Sequence, residues 1–282
     1  VESMAFDQDG LLWVGTRNGL AKYDGYSFVT YYHNPNDKTT IPHNFIRYIY
    51  VDSENNVWIG CDKEICRYNR ETDDFMRYDV KNEPITRITE TLEGSIICTG
   101  MKVFKKGKVE DVFHQMPRQL EAYVVGLEVS PDNRIFVSTN HSISYFTSDM
   151  VSETVLDSSV YSDFLSGFDA IAPLFFDKSG LLWIGRDGKG VMSLNLSTGE
   201  KTIYDASRLT DGTVRVITED SKGNIWLGTE SGITIINPTS GVIKKVAQRF
   251  GNSRTLSDNA IYCIVPDNQD NIWIGTYFGG IN

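Results

Sequence analysis

The chain has 282 residues, of which 40% are hydrophobic and 23% are charged, so it is long enough to bury a sizeable core as one or two domains. Its formal net charge of −10 disfavours nucleic acid or an anionic membrane surface as a partner, because both require a basic surface. No run of residues approaches the roughly 18 apolar positions that a membrane-spanning helix needs.

One motif recurs along the chain: an apolar stretch, Asp, a polar turn with Gly or Asn, then a strand with a central Trp followed by Gly. In chain order its copies are FDQDGLLWVGT (Phe6–Thr16), VDSENNVWIGC (Val51–Cys61), ETLEGSIICTG (Glu90–Gly100), VSPDNRIFVST (Val129–Thr139), FDKSGLLWIGR (Phe176–Arg186), EDSKGNIWLGT (Glu219–Thr229) and PDNQDNIWIGT (Pro266–Thr276). The third and fourth copies are weaker, with Ile97 and Phe136 in the place of Trp. The chain is therefore an array of seven repeats.

The Trp-equivalent residues stand at positions 13, 58, 97, 136, 183, 226 and 273. A spacing near 40–45 residues is typical of the four short strands of one propeller blade. In the first copy Leu11 and Trp13 face one side while Leu12 and Val14 face the other, so the strand must be covered on both faces. We therefore predict an all-β fold, a seven-bladed β-propeller that occupies residues 1–282 as a single domain.

The first strand of each blade should precede the motif. We expect these inner strands near Val1–Phe6, Ile46–Val51, Ile85–Thr89, Val124–Val129, Ala170–Phe176, Thr213–Thr218 and Ala260–Val265. The seventh repeat begins at Ala260 and runs to Asn282, which leaves room for three strands or fewer. We expect the last blade to be incomplete and to have an exposed hydrogen-bonding edge.

The recurring Asp and Trp have structural interpretations. Each Asp of the five strong copies lies three residues before the turn position, where its side chain would cap a tight turn through backbone N–H groups. The tryptophans lie in doubly apolar strands and are interpreted as interblade core rather than as platforms for sugars. Cys61 and Cys66 flank a predicted hairpin turn; they would form a disulfide in an oxidising compartment, but burial as small apolar residues is favoured. The Cys and His spacings predict no metal site, and no cofactor is expected.

Several segments resemble the two-component regulator propeller repeat. One is the motif together with the Gly that follows it, as in Ile225–Ile233. Two others, Asn34–Asn44 and Asn252–Asn259, are the segments that precede an inner strand, and the last is Tyr277–Asn282. The resemblance implies one propeller of the periplasmic sensor region of a hybrid two-component receptor, and an oligosaccharide from a polysaccharide as its signal. It also implies three partners: a second propeller, the C-terminal domains of the same receptor, and a second copy in a homodimer.

Candidate ligand-binding residues lie in loops that should open on one face of a propeller. The loops between second and third strands supply Arg17, Lys63, Lys102, His141, Arg186, Lys189 and Tyr277. The loops that lead into first strands supply His43, Asn44, Tyr123, Arg215 and Asn259. This basic, amide and aromatic mixture would suit an acidic or hydroxyl-rich oligosaccharide, with Arg17 and Arg186 in the same register of two blades. The alternative is that these loops are simply polar.

Other functions receive less support from the sequence. Glycosidase chemistry needs two carboxylates across a cleft, and several fall near predicted loops: Asp62, Asp169, Asp187, Asp211 and Glu230. No nucleophile or Cys/His motif accompanies them, so we predict that the chain is not an enzyme. The alternatives are a protein-docking propeller without its own ligand and, less favoured, a propeller glycosidase or lyase.

Overall fold

The computed structural model describes residues 1–116, 124–139, 142–147, 153–155 and 173–282, which form only β-strands and turns. Two compact units divide the chain, Val1–Val124 and Val125–Asn282. In the described part of the chain, no helix is long and apolar enough to cross a membrane.

Unit one contains three antiparallel sheets of four strands each, paired in chain order. The first sheet holds β1 (Ser3–Phe6), β2 (Leu12–Thr16), β3 (Gly19–Tyr23) and β4 (Phe28–Tyr31). The second holds β5 (Ile46–Val51), β6 (Val57–Cys61), β7 (Ile65–Asn69) and β8 (Asp74–Tyr78). The third holds β9 (Arg87–Glu90), β10 (Ile96–Thr99), β11 (Val103–Lys106) and β12 (His114–Gln115).

Unit two contains three further four-stranded sheets and one of two strands. The fourth sheet holds β13 (Gly126–Val129), β14 (Ile135–Ser138), β15 (Ile143–Phe146) and β16 (Glu153–Val155). The fifth holds β17 (Leu174–Phe176), β18 (Leu182–Arg186), β19 (Gly190–Leu194) and β20 (Lys201–Tyr204). The sixth holds β21 (Val214–Glu219), β22 (Ile225–Thr229), β23 (Gly232–Ile236) and β24 (Ile243–Val246). The seventh pairs β25 (Ile261–Pro266) with β26 (Ile272–Thr276), and a single bridge joins Gly275 to Ile281.

Six complete sheets and a partial seventh confirm the predicted seven-bladed β-propeller with an incomplete last blade. The predicted first strands overlap those of the structure, although three begin two residues later than expected, at Ser3, Arg87 and Gly126, and two begin one residue later, at Val214 and Ile261. In the fifth sheet the predicted strand reaches back to residue 170, and its part up to residue 172 lies outside the described residues.

The Asp turns form as predicted. In each strong copy one carboxylate oxygen accepts the backbone N–H groups two and four residues later; for Asp52 these are Glu54 and Asn56, at 3.0 and 2.7 Å. The turn position has a positive φ in every strong copy, 82° at Gly10 and 65° at Asn55, for example. Gly, Asn and Asp tolerate this left-handed conformation better than other residues, which explains why only they occur there.

The tryptophans depart in part from the sequence-based interpretation. Trp13, Trp58 and Trp183 are at most 1% exposed, whereas Trp226 and Trp273 are only partly buried. Trp13 packs against Tyr68 of the next sheet, with ring centroids 4.6 Å apart, and that Tyr lies on a third strand. The sheet that follows Trp226 has two strands and a bridge, so it supplies no equivalent cover. All four cysteines are buried free thiols, the interpretation favoured from the sequence.

Candidate functional site

The sequence-predicted candidates lie at one end of their sheets, where the first strand begins and the second strand ends; we call this the loop end. His141 and Tyr123 lie outside the described residues, as does Asp169. The remaining candidates are described sheet by sheet within each unit.

A pairing at a separation of 15 residues recurs at the loop end. Arg17 Nε donates to Glu2 Oε1 at 2.6 Å, Arg47 forms an ion pair with Asp62, and Arg215 forms one with Glu230. In the seventh sheet the pair is aromatic instead, with Tyr262 stacked on Tyr277 at 5.1 Å between centroids. Each pair joins a residue at the start of a first strand to the residue just after the second strand.

β-bulges position three of these side chains. The register between first and second strands shifts between Ile46 and Tyr48, between Val214 and Val216, and between Ile261 and Cys263. The extra residues in the three strands are Arg47, Arg215 and Tyr262. Because a bulge leaves one residue without a cross-strand partner and re-aims its side chain, it can turn these residues toward the loop end.

In unit one the pairs join through an aromatic ring. The guanidinium carbon of Arg17 lies 5.5 Å from the Phe45 ring centroid, and that of Arg47 lies 4.6 Å from it. Both distances suit cation–π contacts. We call this set the Phe45 row; its members are Glu2, Arg17, Phe45, Arg47 and Asp62.

In unit two a comparable series is more aromatic. The guanidinium carbon of Arg215 lies 4.7 Å from the Tyr262 ring centroid, and Tyr277 contacts Phe278 edge-on at 4.3 Å. Phe278 is 86% exposed. We call this set the Tyr277 row; its members are Glu230, Arg215, Tyr262, Tyr277 and Phe278.

Asn44 and His43 shape the loop that leads into the second sheet. Asn44 Oδ1 accepts the N–H of His33 at 2.7 Å, and the Asn44 carbonyl accepts the N–H of Gly19 at 2.7 Å. His43 Nδ1 accepts the N–H of Phe45 at 3.0 Å. Asn259 makes the same two hydrogen bonds: its side-chain oxygen accepts the N–H of Gln248, and its carbonyl accepts the N–H of Gly232. These bonds explain why an Asn recurs just before the first strand.

Arg17 and Arg186 do not occupy the same register, which corrects the expectation from the sequence. Arg186 is the last residue of β18 and corresponds to Thr16, the last residue of β2, whereas Arg17 is the residue after β2. Their environments differ accordingly. Arg186 is 2% exposed, whereas the Arg17 side chain is 59% exposed. Burial lowers the pKa of the Arg186 guanidinium, and the neighbouring Asp187 partly opposes this shift. Of the two lysine candidates in unit one, Lys63 is exposed and Lys102 Nζ forms an ion pair with Glu83 at 2.7 Å.

Carboxylates balance the basic residues at the loop end. Four of them were expected near these loops from the sequence, namely Asp62, Asp187, Asp211 and Glu230, whereas Glu2 was not. Besides those in the two rows, Asp187 accepts a hydrogen bond from Thr213 Oγ1 at 2.6 Å and Asp211 accepts one from Ser231 Oγ at 2.8 Å. Each carboxylate thus has a partner close by. Within the described ranges no group of three His, Cys, Asp or Glu side chains is arranged to hold a metal ion.

Sequence reasoning missed Phe45, Tyr262 and Phe278. The recurring separation of 15 residues could have indicated these contacts from the sequence, because it joins opposite charges in three sheets and two aromatic residues in the seventh. The pairs are Glu2/Arg17, Arg47/Asp62, Arg215/Glu230 and Tyr262/Tyr277.

Three segments of the chain, residues 40–63, 208–231 and 255–278, match the two-component regulator propeller family. Each runs from the lead loop through the first strand and the Asp turn to the loop end. A stretch of 35 residues is 57% identical to Histidine kinase P4 of Formosa agariphila; it makes up 12% of this chain and 3% of that protein.

Solved structures share the fold over the whole chain. The extracellular domains of two hybrid two component systems from B. thetaiotaomicron superpose with TM-scores of 0.83 and 0.80, at 22% and 19% identity. The match covers 100% of this chain but only 39% and 37% of theirs. Virginiamycin B lyase from Staphylococcus aureus matches with a TM-score of 0.74 at 16% identity, over 99% of this chain and 92% of the lyase.

Proposed function

We propose that this chain, which carries two-component regulator propeller repeats, is an extracytoplasmic sensor propeller of a hybrid two-component system. The observation that carries the proposal is the combination of these repeats with a fold shared at full length with two extracellular domains of such systems. The chain spans less than two fifths of those domains. A periplasmic location, a second propeller, further C-terminal domains, a homodimer and a kinase therefore belong to the proposal.

The signal in this proposal is an oligosaccharide derived from a polysaccharide. Support comes from the loop end, where aromatic rings and charged hydrogen-bonding groups alternate in the Phe45 row and the Tyr277 row. Ligand sites combine apolar rings with a few placed polar groups in this way. The propeller binds the sugar and transmits its presence to a kinase outside this chain.

A lyase is the second candidate, because virginiamycin B lyase shares the fold. A likeness at 16% identity concerns the fold alone, and fold does not decide chemistry. Asp62 and Glu230 are each neutralised by an arginine of the same sheet, an arrangement that supports a structural role for both carboxylates. A protein-docking propeller is the third candidate, and it would bind no sugar.

The test is a thermal-shift screen of the complete extracellular region against a panel of oligosaccharides, combined with a transcription reporter in cells. We expect the sugar that raises the melting temperature to be the one that induces transcription, and mass spectrometry should recover it unchanged. Release of a cleaved product would support the lyase. Induction by a sugar that does not bind the extracellular region would contradict the sensor proposal.

A further inference from the structure

The Tyr277 row presents an aromatic surface that the surrounding loop holds in place. Three rings are contiguous, those of Tyr262, Tyr277 and Phe278, and the last is 86% exposed. The Phe278 N–H donates to Asp258 Oδ2 at 2.8 Å, and the N–H of Thr276 donates to the Gly280 carbonyl at 2.9 Å. An isolated exposed apolar side chain is common on protein surfaces, whereas a contiguous set of aromatic rings that reaches the solvent is a feature of binding surfaces.

The positive charge of Arg215, the cation of the Tyr277 row, is neutralised within the row. Arg215 forms its ion pair with Glu230 while lying over the Tyr262 ring, and both ionic side chains are only partly exposed, at 26% and 34%. A uronate or sulfate ligand would have to displace Glu230 from Arg215. It would also approach Asp258, whose carboxylate is bonded to the Phe278 backbone. Repulsion between these like charges disfavours an anionic ligand.

An uncharged sugar ring meets the same groups without this repulsion. Its C–H face would cover the aromatic rings and remove their apolar surface from water. Its hydroxyl groups donate to carboxylates and accept from a guanidinium, so Glu230 and Arg215 would satisfy them while keeping their own ion pair.

We propose that the Tyr277 row binds an uncharged pyranose unit, stacked on Tyr277 and Phe278, and that it discriminates against uronate and sulfated sugars. This inference rests on the proposed function and specifies its ligand class. Of the two ligand classes that the loop residues suggested from the sequence, acidic and hydroxyl-rich, it selects the hydroxyl-rich one, because Arg215 is paired with Glu230.

The experiment measures binding by calorimetry with hexasaccharides of matched length: cello-, xylo- and malto-oligosaccharides as neutral probes, and oligogalacturonate and oligoalginate as anionic probes. We expect a neutral probe to bind at least tenfold more tightly than either anionic one. Its affinity should change less than about twofold between low and high salt, because no charge on the ligand is screened.

Three variants test the location. Tyr277→Ala should weaken binding of the neutral probe about tenfold or more, whereas Tyr277→Phe, which keeps the stacking ring, should change it less than about threefold. Phe250→Ala is the matched control, because Phe250 is fully exposed in the same unit and lies outside the row. An unchanged melting temperature for all three variants establishes that they fold.

The outcomes separate this inference from the proposed function. Tighter binding of an anionic probe, or neutral binding that Tyr277→Ala leaves unchanged, overturns the inference while the sensor proposal stands. Failure of every neutral probe to bind also overturns the inference. If no sugar of either class binds even the complete extracellular region, the sensor proposal itself falls.

Discussion

At the residue scale, the Asp and Trp of the motif are bonded to each other. The second carboxylate oxygen of each Asp accepts the indole N–H six residues later, at 2.7–2.9 Å in all five strong copies. Where Trp is absent, Asp is absent too. Thr91 and Ser130 stand in its place and cap only the turn, each accepting the N–H four residues later. The carboxylate is therefore needed to satisfy the indole as well as to close the turn.

This coupling predicts a non-additive pair of substitutions. Asp177→Ser leaves the buried Trp183 N–H without its acceptor, and Trp183→Phe leaves the Asp177 oxygen without its donor, so each should cost about 1–3 kcal/mol of unfolding free energy. The double variant copies the fourth repeat, with Ser130 and Phe136. It should cost less than the sum of the single changes by about 1 kcal/mol, measured by urea titration. Asp177→Ser combined with Trp58→Phe, in another sheet, is the control and should be additive.

At the element scale, the Gly that follows Trp sets how closely two sheets approach. A Cβ added to Gly15 would lie 2.7 Å from Ile46 Cγ2, and one on Gly60 would lie 2.8 Å from Ile85 Cγ2. In each case the obstructing residue belongs to the segment that begins the next sheet. The Gly of the motif therefore indicates a close contact between two sheets, in addition to the strand in which it lies.

Gly60→Ala should therefore destabilise the protein by about 1–3 kcal/mol, because the added methyl group forces the Ile85 segment outward. Gly107→Ala is the matched control in the same unit, since its Cβ would meet only the flexible Glu110 side chain, at 3.1 Å. Guanidinium titrations of the two variants compare the costs. Equal losses would mean that the approach of the sheets is not limited by Gly60.

Burial of the motif Trp differs between sheets, and stability should follow it. Trp183→Ala removes a fully buried ring and should cost roughly 3–5 kcal/mol. Trp226→Ala should cost clearly less, because Trp226 lines an open groove of about 440 Å³ with Asn224, Asn237 and Lys244. Denaturant titration measures both values. A cost for Trp226→Ala as large as that for Trp183→Ala would show that the groove is closed in solution.

At the scale of the whole molecule, the chain is acidic, with a net charge of −10, and it uses carboxylates as structural groups in its turns. Partial desolvation opposes the charged form of Asp267, but hydrogen bonds from Trp273, Asn271 and Gln269 prevail and lower its pKa to about 2. The pKa of Asp220 is lowered in the same way, by bonds from Asn224 and Trp226 that outweigh desolvation.

A lowered pKa in the folded state means that unfolding takes up protons as the pH falls. The stabilisation from Asp267 is complete above its unfolded pKa, near 3.8, and is lost as the pH falls from about 4 to about 2. Urea titrations at pH 6, 4, 3 and 2 should show stability falling across this range. The Asp220→Asn/Asp267→Asn variant should be less stable at pH 6 and should lose less stability on acidification. An equally steep loss in the variant would assign the acid sensitivity to other groups.

Much of the fold was predictable because its signals are local. The seven repeats, the Asp turns and the doubly apolar strands are set by side-chain alternation and by residues within four or six positions of each other. Part of the candidate site followed as well, since Arg17, Arg215 and Tyr277 were placed at the loop end and lie in the two rows.

The sequence by itself determined the seven repeats, the Asp turns of the five strong copies and the approximate position of the first strands, because hydrogen bonding and alternation act within one repeat. Only the tertiary structure decided what each loop residue contacts. Arg17 and Arg186 were both expected among the loop residues that would contact a ligand, yet Arg17 is exposed and Arg186, the last residue of its strand, is buried. Similarly, Trp183 is enclosed and Trp226 is not. Burial and charge pairing depend on the side chains that a neighbouring strand or sheet supplies, and those come from residues that the local pattern does not specify.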